Sequence, residues 1–396
     1  MEAFKTAKTP GTPYVGVGLT KTGYAAIGVA APTDPSFQLG MKAPATRQLL
    51  KDPPVSTWEE PYREDIHAVV LIGDAKNAGT TARRNAVEAL LPDSVTVLGE
   101  ETGLGRHNDN GDGIEHFGYV DGRSQPLFLI EDIEAERGGT DGTNVWDPAF
   151  GLDRAIVKDL AAPDPNLHFG SYFVFRKLEQ NVRRFKQAEK DLAAELGLAE
   201  PDSERAGAML IGRFEDGTPV TLQRAAGTHS PVMNNFTYAS DGDGARCPFQ
   251  GHIRKANPRG SGGFEQPPEK ERRHLMARRG QTYGERSDTP SDESPPDTRP
   301  SGGVGLLFMA FNVEFGAQFE FTQSRWVNNP GFPKVPAGNP APGLDPVIGQ
   351  GPRPRPSYPN HWGVNQLQEV DPVAQAVRMR GGEYFFMPSL AFIKGL

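Results

Sequence analysis

A single cysteine in 396 residues, Cys247, excludes an internal disulfide and a cysteine-clustered metal site, and suits a reducing compartment. Basic residues are in the minority. With 42 Lys and Arg against 50 Asp and Glu, the formal net charge of −8 leaves no broad cationic face for nucleic acid or anionic lipid. No apolar run approaches the roughly 20 residues a membrane helix needs. The longest, "HAVVLI" and "GVGLLFMAF", suit buried strands. The opening "MEAFKTAKTPGTPYVGVGL" has neither a charged stretch followed by a long apolar one nor a twin-arginine pair, so a soluble, cytoplasmic protein is expected. The eight histidines form no HExxH pair and no zinc-finger spacing, and the GxG fragments complete neither a GxGxxG nor a P-loop. These patterns support neither a multi-histidine metal centre nor a nucleotide-phosphate loop.

What is abundant is glycine (46) and proline (36), and both concentrate in loops. Residues 260–300 and 328–360 read as two long irregular excursions. Between the loops, apolar runs predict strands at Tyr14–Leu19, Ile66–Ile72, Ser94–Leu98, Tyr172–Phe175, Gly305–Phe311 and Glu383–Met387. Helical spacing, with Glu179 four residues before Arg183, predicts a helix over Lys177–Leu196, and a shorter one over Thr80–Leu91 stopped by Pro92. Strands and helices do not alternate strictly, so the class is α+β. The proline-containing stretch Ala161–Gly170 is a candidate domain boundary.

Three segments carry candidate chemistry. In "EHFGYVDGRSQP" (Glu115–Pro126), Gly118 and Gly122 bracket Asp121, so that a carboxylate sits on a turn whose glycines admit positive φ. On residue type alone Asp121 is either a turn aspartate or an acid–base group. "CPFQGHIRKANPR" (Cys247–Arg259) holds His252 between a glycine and a cationic pair, where it is either a structural histidine or a ligand, with Cys247 an alternative thiolate. "RRGQTYG" (Arg278–Gly284) holds paired arginines, a solvated strand end or an electrostatic device.

Taken in order with "GSYFVFRKLEQNV" (Gly170–Val182), "GLLFMAF" (Gly305–Phe311) and "RGGEYFFMPSL" (Arg380–Leu390), these segments resemble the dye-decolourising peroxidases, whose GxxDG motif "GYVDG" matches. The resemblance implies two ferredoxin-like α+β domains, each an antiparallel sheet with helices: an N-terminal one over 1–160 carrying the motif, and a C-terminal one over 165–396 holding most of one haem b per chain. It implies a peroxidase that uses hydrogen peroxide to oxidise dyes and other organic one-electron donors through a ferryl intermediate. The alternative is a haem-handling protein with incidental activity.

By motif position, His252 is the proximal iron ligand, Asp121 the distal acid–base residue and Arg278 its partner, with Leu306 and Phe308 lining the distal pocket. Gly118, Gly122, Arg123 and Glu314 join His252 as cofactor-binding positions. Glu314 is expected to accept a hydrogen bond from the second nitrogen of His252, because a metal-bound imidazole needs such an acceptor. Trp326, Tyr283 and Tyr384 are either electron relays to surface substrates or packing. An ordinary aspartate titrates near ~4, so dye oxidation is expected to be best in mild acid.

Overall fold

The computed structural model describes residues 11–138, 145–227, 232–262, 267–286, 288 and 298–396. Its strands are β1 (Tyr14–Leu19), β2 (Ala68–Gly73), β3 (Arg106–His107), β4 (Gly113–Ile114), β5 (Val157–Lys158) and β6 (Phe169–Gln180), followed by β7 (Ala277–Arg278), β8 (Gln281–Tyr283), β9 (Gly305–Asn312), β10 (Ser357–Pro359), β11 (Leu367–Glu369) and β12 (Val377–Met387). An eight-stranded sheet runs in the order β2-β1-β12-β6-β9-β7, with β5 on β6 and β8 on β9. Its pairings are antiparallel. β1 joins β12 through Leu19↔Phe386, so strands from before and after residues 160–165 share one sheet.

β6 is the spine of this sheet because its alternation serves two cores at once. Tyr172 and Val174 pack with Tyr24, Phe37, Trp58 and Tyr384 on one face, while Phe173 packs with Leu307, Met309 and Phe385 on the other. At the β12 bulge, a Cβ on Gly381 would meet the Tyr62 ring at 2.2 Å, so only glycine lets the two approach.

The expected helix over 177–196 is corrected. Lys177–Gln180 remain in β6, and the helix runs Val182–Glu195, capped by Asn181, whose side chain accepts from Arg184 N. Ladder bonds are each worth ~1 kcal/mol, whereas an exposed helical Glu–Arg pair is worth roughly 0.2–0.5, so pairing with β9 and β12 wins. Lys177 instead bonds Glu59 and Glu101 at 2.7 and 2.8 Å.

Residues 94–98 form no strand: Val95 and Val97 stay 48% and 56% exposed, and no neighbouring strand pairs with them. The helix expected over 80–91 is present at Asn77–Glu88. From Asn328 to Pro356 the chain is irregular, as expected. The excursion expected over 260–300 is corrected: a helical turn at Pro268–Glu271 and the strands β7 and β8 lie within it, because β9 offers the strands ladder bonds, while 263–266, 287 and 289–297 lie outside the described residues. Among the described residues no helix is long and apolar enough to cross a membrane.

Candidate functional site

The GxxDG segment is a turn built from its own backbone bonds. The Glu115 carboxylate accepts from Phe117 N (2.7 Å), Tyr119 N (3.1 Å) and the Gln180 side chain of β6. Asp121 N donates to Gly113 O in β4 at 2.9 Å. Gly118 and Gly122 take φ of +104° and +78°, the left-handed region their residue type was expected to serve. Below the turn, Phe117 stacks on Phe185 at 4.0 Å, and His116 Nε2 donates to Tyr283 O at 2.8 Å. The Asp121 carboxylate is exposed on this anchored base and, among the described residues, accepts only the Gly122 N–H, at 2.6 Å.

Two anchors carry opposite pH dependences. Burial pushes Glu115 up to about 7 from 4.5 and His116 down to about 4 from 6.5. Between pH 4.5 and 7 the folded state holds more protons at Glu115, so that contribution is full below 4.5 and lost as pH rises. At His116 the unfolded state holds more, so its contribution is present above 6.5 and lost as pH falls through about 4. Each is on the order of 3 kcal/mol, and they nearly cancel. His116→Gln should remove one side of this balance. Its loss of stability relative to the parent, read as paired melting temperatures, should grow from pH 4 to pH 7; a loss that shrinks over that range would refute the assignment.

Arg278 lies on β7 opposite Ala310 of β9, and its N–H donates to the Gln125 side chain of the turn at 3.2 Å. Strand alternation places Arg278 on the same face as Ala310, Phe308 and Leu306. Leu306 and Phe308 are half-buried on that face, whereas Leu307 and Met309 are sealed into the core on the other. The Arg278 guanidinium has no hydrogen bond or ion pair among the described residues. Burial lowers its pKa and Asp121 opposes that.

His252 opens a short helix, His252–Ala256. Its Nδ1 donates to Asp345 Oδ2 at 2.8 Å, and the Asp345 carboxylate, fully buried, also accepts Val347 N (2.8 Å) and Ile348 N (2.9 Å). Burial alone would depress the imidazolium, but Asp345 overrides it and the His252 pKa is raised, Asp121 adding to the rise and Arg278 opposing it. Burial would likewise raise Asp345, yet His252 and the two amides hold it below its ordinary value.

The ring is deep enough for desolvation to act on it, while 27% of its side-chain surface remains accessible. With Nδ1–H bound to a carboxylate, Nε2 on the other side of the ring keeps, among the described residues, a free lone pair, the donor arrangement a haem ligand requires.

Asp345, not Glu314, is therefore the acceptor. Glu314, two residues beyond β9, is exposed, and the His252 Nδ1 it was expected to meet is taken by Asp345. Asp345 lies 93 residues from His252, so no spacing rule connects them. The only available signal was a carboxylate set in the apolar "PGLDPVIG". Arg123 is engaged by Glu136 at 2.9 Å and by Val232 O. Gly118 faces the Glu215 carboxylate, 3.5 Å from where a Cβ would stand.

Trp326, Tyr283 and Tyr384 are 1%, 7% and 1% exposed, and none of them reaches the surface. Trp326 stacks on Phe332, and Tyr384 donates to Glu320 at 2.9 Å. Burial pushes the Cys247 thiol up to about 12, which disfavours a thiolate ligand.

No family model matches the chain. It is 63% identical over 397 residues to the multifunctional dye peroxidase DyP2 of Amycolatopsis sp. (strain ATCC 39116 / 75iv2), covering 100% of this chain and 85% of that protein. It is 30% identical over 403 residues to the dye-decolorizing peroxidase msp1 of Mycetinis scorodonius, covering 96% and 75%. The solved structure of Amycolatopsis DyP2 superposes with a TM-score of 0.97 over 100% of this chain and 85% of that one. That of a DyP-type peroxidase from Anabaena sp. does so with 0.90, at 36% identity, over 99% and 82%.

Proposed function

The chain belongs to the dye-decolourising peroxidase family and is a haem peroxidase of the two-domain ferredoxin-like α+β fold, and we propose the roles of its residues as follows. One haem b per chain would be held by His252 through Nε2, with Asp121 and Arg278 supplying the acid–base and charged groups; Asp345 holds the His252 ring in that tautomer and raises its basicity. Bound haem supplies the two-electron reduction of hydrogen peroxide, and organic donors such as dyes and phenols return the electrons one at a time.

Asp121 accepts the proton of the attacking peroxide oxygen and delivers it to the departing one, so that water leaves rather than hydroxide. The carboxylate suits this because it is exposed and, among the described residues, held by one amide. Arg278 supplies fixed positive charge where negative charge develops on the breaking O–O bond. Leu306 and Phe308 keep water from that side and so strengthen the interaction. Gly118 and Gly122 hold the turn, and Arg123 fixes its far side through Glu136.

The division into units 1–160 and 165–396 belongs to this reading, supported by His252, Arg278 and Asp345 all lying in the second. So does a cytoplasmic location, supported by the single buried cysteine.

The observation that carries the assignment is geometric: His252 gives Nδ1–H to the buried Asp345 carboxylate at 2.8 Å and, among the described residues, keeps Nε2 free. The charges of Asp121 and Arg278, from separate segments, act on the same ring with opposite sign. Reconstitution with haem should give a histidine-ligated ferric Soret band and dye oxidation that requires peroxide. A protein that takes up haem but turns over no peroxide would refute the function.

A further inference from the structure

Three residues beyond His252, on the same helical turn, Lys255 is completely buried. Its ammonium forms no ion pair among the described residues. Its three hydrogens meet three main-chain carbonyls instead: Asn329 O at 2.7 Å, Gly343 O at 2.6 Å and Phe332 O. All three belong to the irregular stretch 328–356. Holding an ammonium there is costly, since burial drives Lys255 down to about 7 against the opposing charge of Asp345. Three carbonyl dipoles at hydrogen-bond distance offset that cost, and they use every donor the group has.

The stretch needs such a pin. Pro330, Pro333, Pro336, Pro340, Pro342, Pro346, Pro352, Pro354 and Pro356 remove nine N–H donors from it, and no strand or helix forms between Val327 and Ser357. Gly343, whose carbonyl Lys255 holds, stands two residues before Asp345, whose carboxylate His252 holds. One helical turn thus grips the chain at 343 and at 345 and closes a ring of contacts through His252, Asp345, Gly343 and Lys255.

We propose that Lys255 is a positioning residue for the axial-ligand pair: it fixes the 329–343 stretch so that the Asp345 carboxylate meets His252 Nδ1. The proposal rests on the reading of His252 as the iron ligand. The strength of the His252–Asp345 bond sets the basicity of the imidazole and, through it, the reduction potential of bound iron. Lys255 therefore acts on the iron without touching it.

The test compares Lys255→Met, which keeps the apolar stem but no donor, with Lys255→Arg, Asp345→Asn and the Lys255→Met/Asp345→Asn double variant. Two readouts are taken: the ferric/ferrous potential of the reconstituted protein, and amide exchange at Val347 and Ile348 in the haem-free full chain. Lys255→Met should move the potential upward in the direction of Asp345→Asn, the double variant should move it no further than Asp345→Asn alone, and the two amides should exchange about tenfold faster or more. Should Lys255→Met not fold, Lys255→Arg, which keeps the charge but spreads its hydrogens over a planar fork instead of carrying three on one tetrahedral nitrogen, should give the same upward direction and faster exchange.

Unchanged potential and exchange in the folded Lys255 variants, with Asp345→Asn still shifted, would overturn the role of Lys255 alone. An unshifted potential in Asp345→Asn, together with a His252→Ala protein that retains the parent Soret band, would overturn the reading of His252 and the proposal with it.

Discussion

Asp121→Asn is expected to lower peroxide turnover by roughly 10²–10⁴-fold while leaving the ferric Soret band in place. The substitution is nearly isosteric, and its amide oxygen can still accept the Gly122 N–H that Asp121 accepts at 2.6 Å, so the turn keeps its geometry. What it loses is the capacity to carry a proton. Arg278→Leu is expected to cost about 10²–10³-fold for a different reason: the site loses fixed charge, while the backbone bond from residue 278 to Gln125 survives. Stopped-flow mixing with peroxide separates these from slower donor oxidation. If the Asp121→Asn rate matches the parent and only Arg278→Leu falls, the proton is carried by another group. If neither falls, the chain handles haem without being built for peroxide cleavage.

Much of this site was legible because its parts are local. The φ of Gly118 and Gly122 follows from residue type, and the shared face of Arg278, Leu306 and Phe308 follows once strand alternation is known. His252, Asp121 and Arg278 could be named only through motif resemblance, since nothing in their spacing brings residues 121, 252 and 278 together. The acceptor for His252 was not legible at all. Glu314 was the natural choice because it closes a recognised strand, whereas Asp345 comes from a proline-rich stretch whose path is set by tertiary bonds such as those of Lys255.

The helix boundary failed for a related reason. Residues 177–180 have helical spacing, but strands distant in sequence, β9 and β12, offer them ladder bonds. The unformed strand at 94–98 is the converse, a pattern with no partner. Patterns report what a segment can do, and pairing decides between the options.

His252→Ala is expected to abolish the histidine-ligated Soret band, because, among the described residues, the buried His116 and the half-buried His274 are already engaged. His116 is bonded to Tyr283 O and His274 is stacked on Phe321. Asp345→Asn should be milder and more informative. An asparagine can still accept from Nδ1, so haem should bind, but the carboxylate charge that raises the His252 pKa is gone. Second-sphere changes of this kind cost roughly 10–100-fold in metal affinity or activity. The expected pattern is a faster haem loss to an apomyoglobin scavenger, a higher ferric/ferrous potential and a turnover deficit within that range. The asymmetry between the two variants is the decisive feature. An Asp345→Asn protein indistinguishable from the parent would mean that the 2.8 Å bond orients the ring without tuning it, and the basicity of the ligand would then have to come from burial alone. Burial acts in the opposite direction, lowering the imidazolium pKa, so that outcome would contradict the electrostatics of the site.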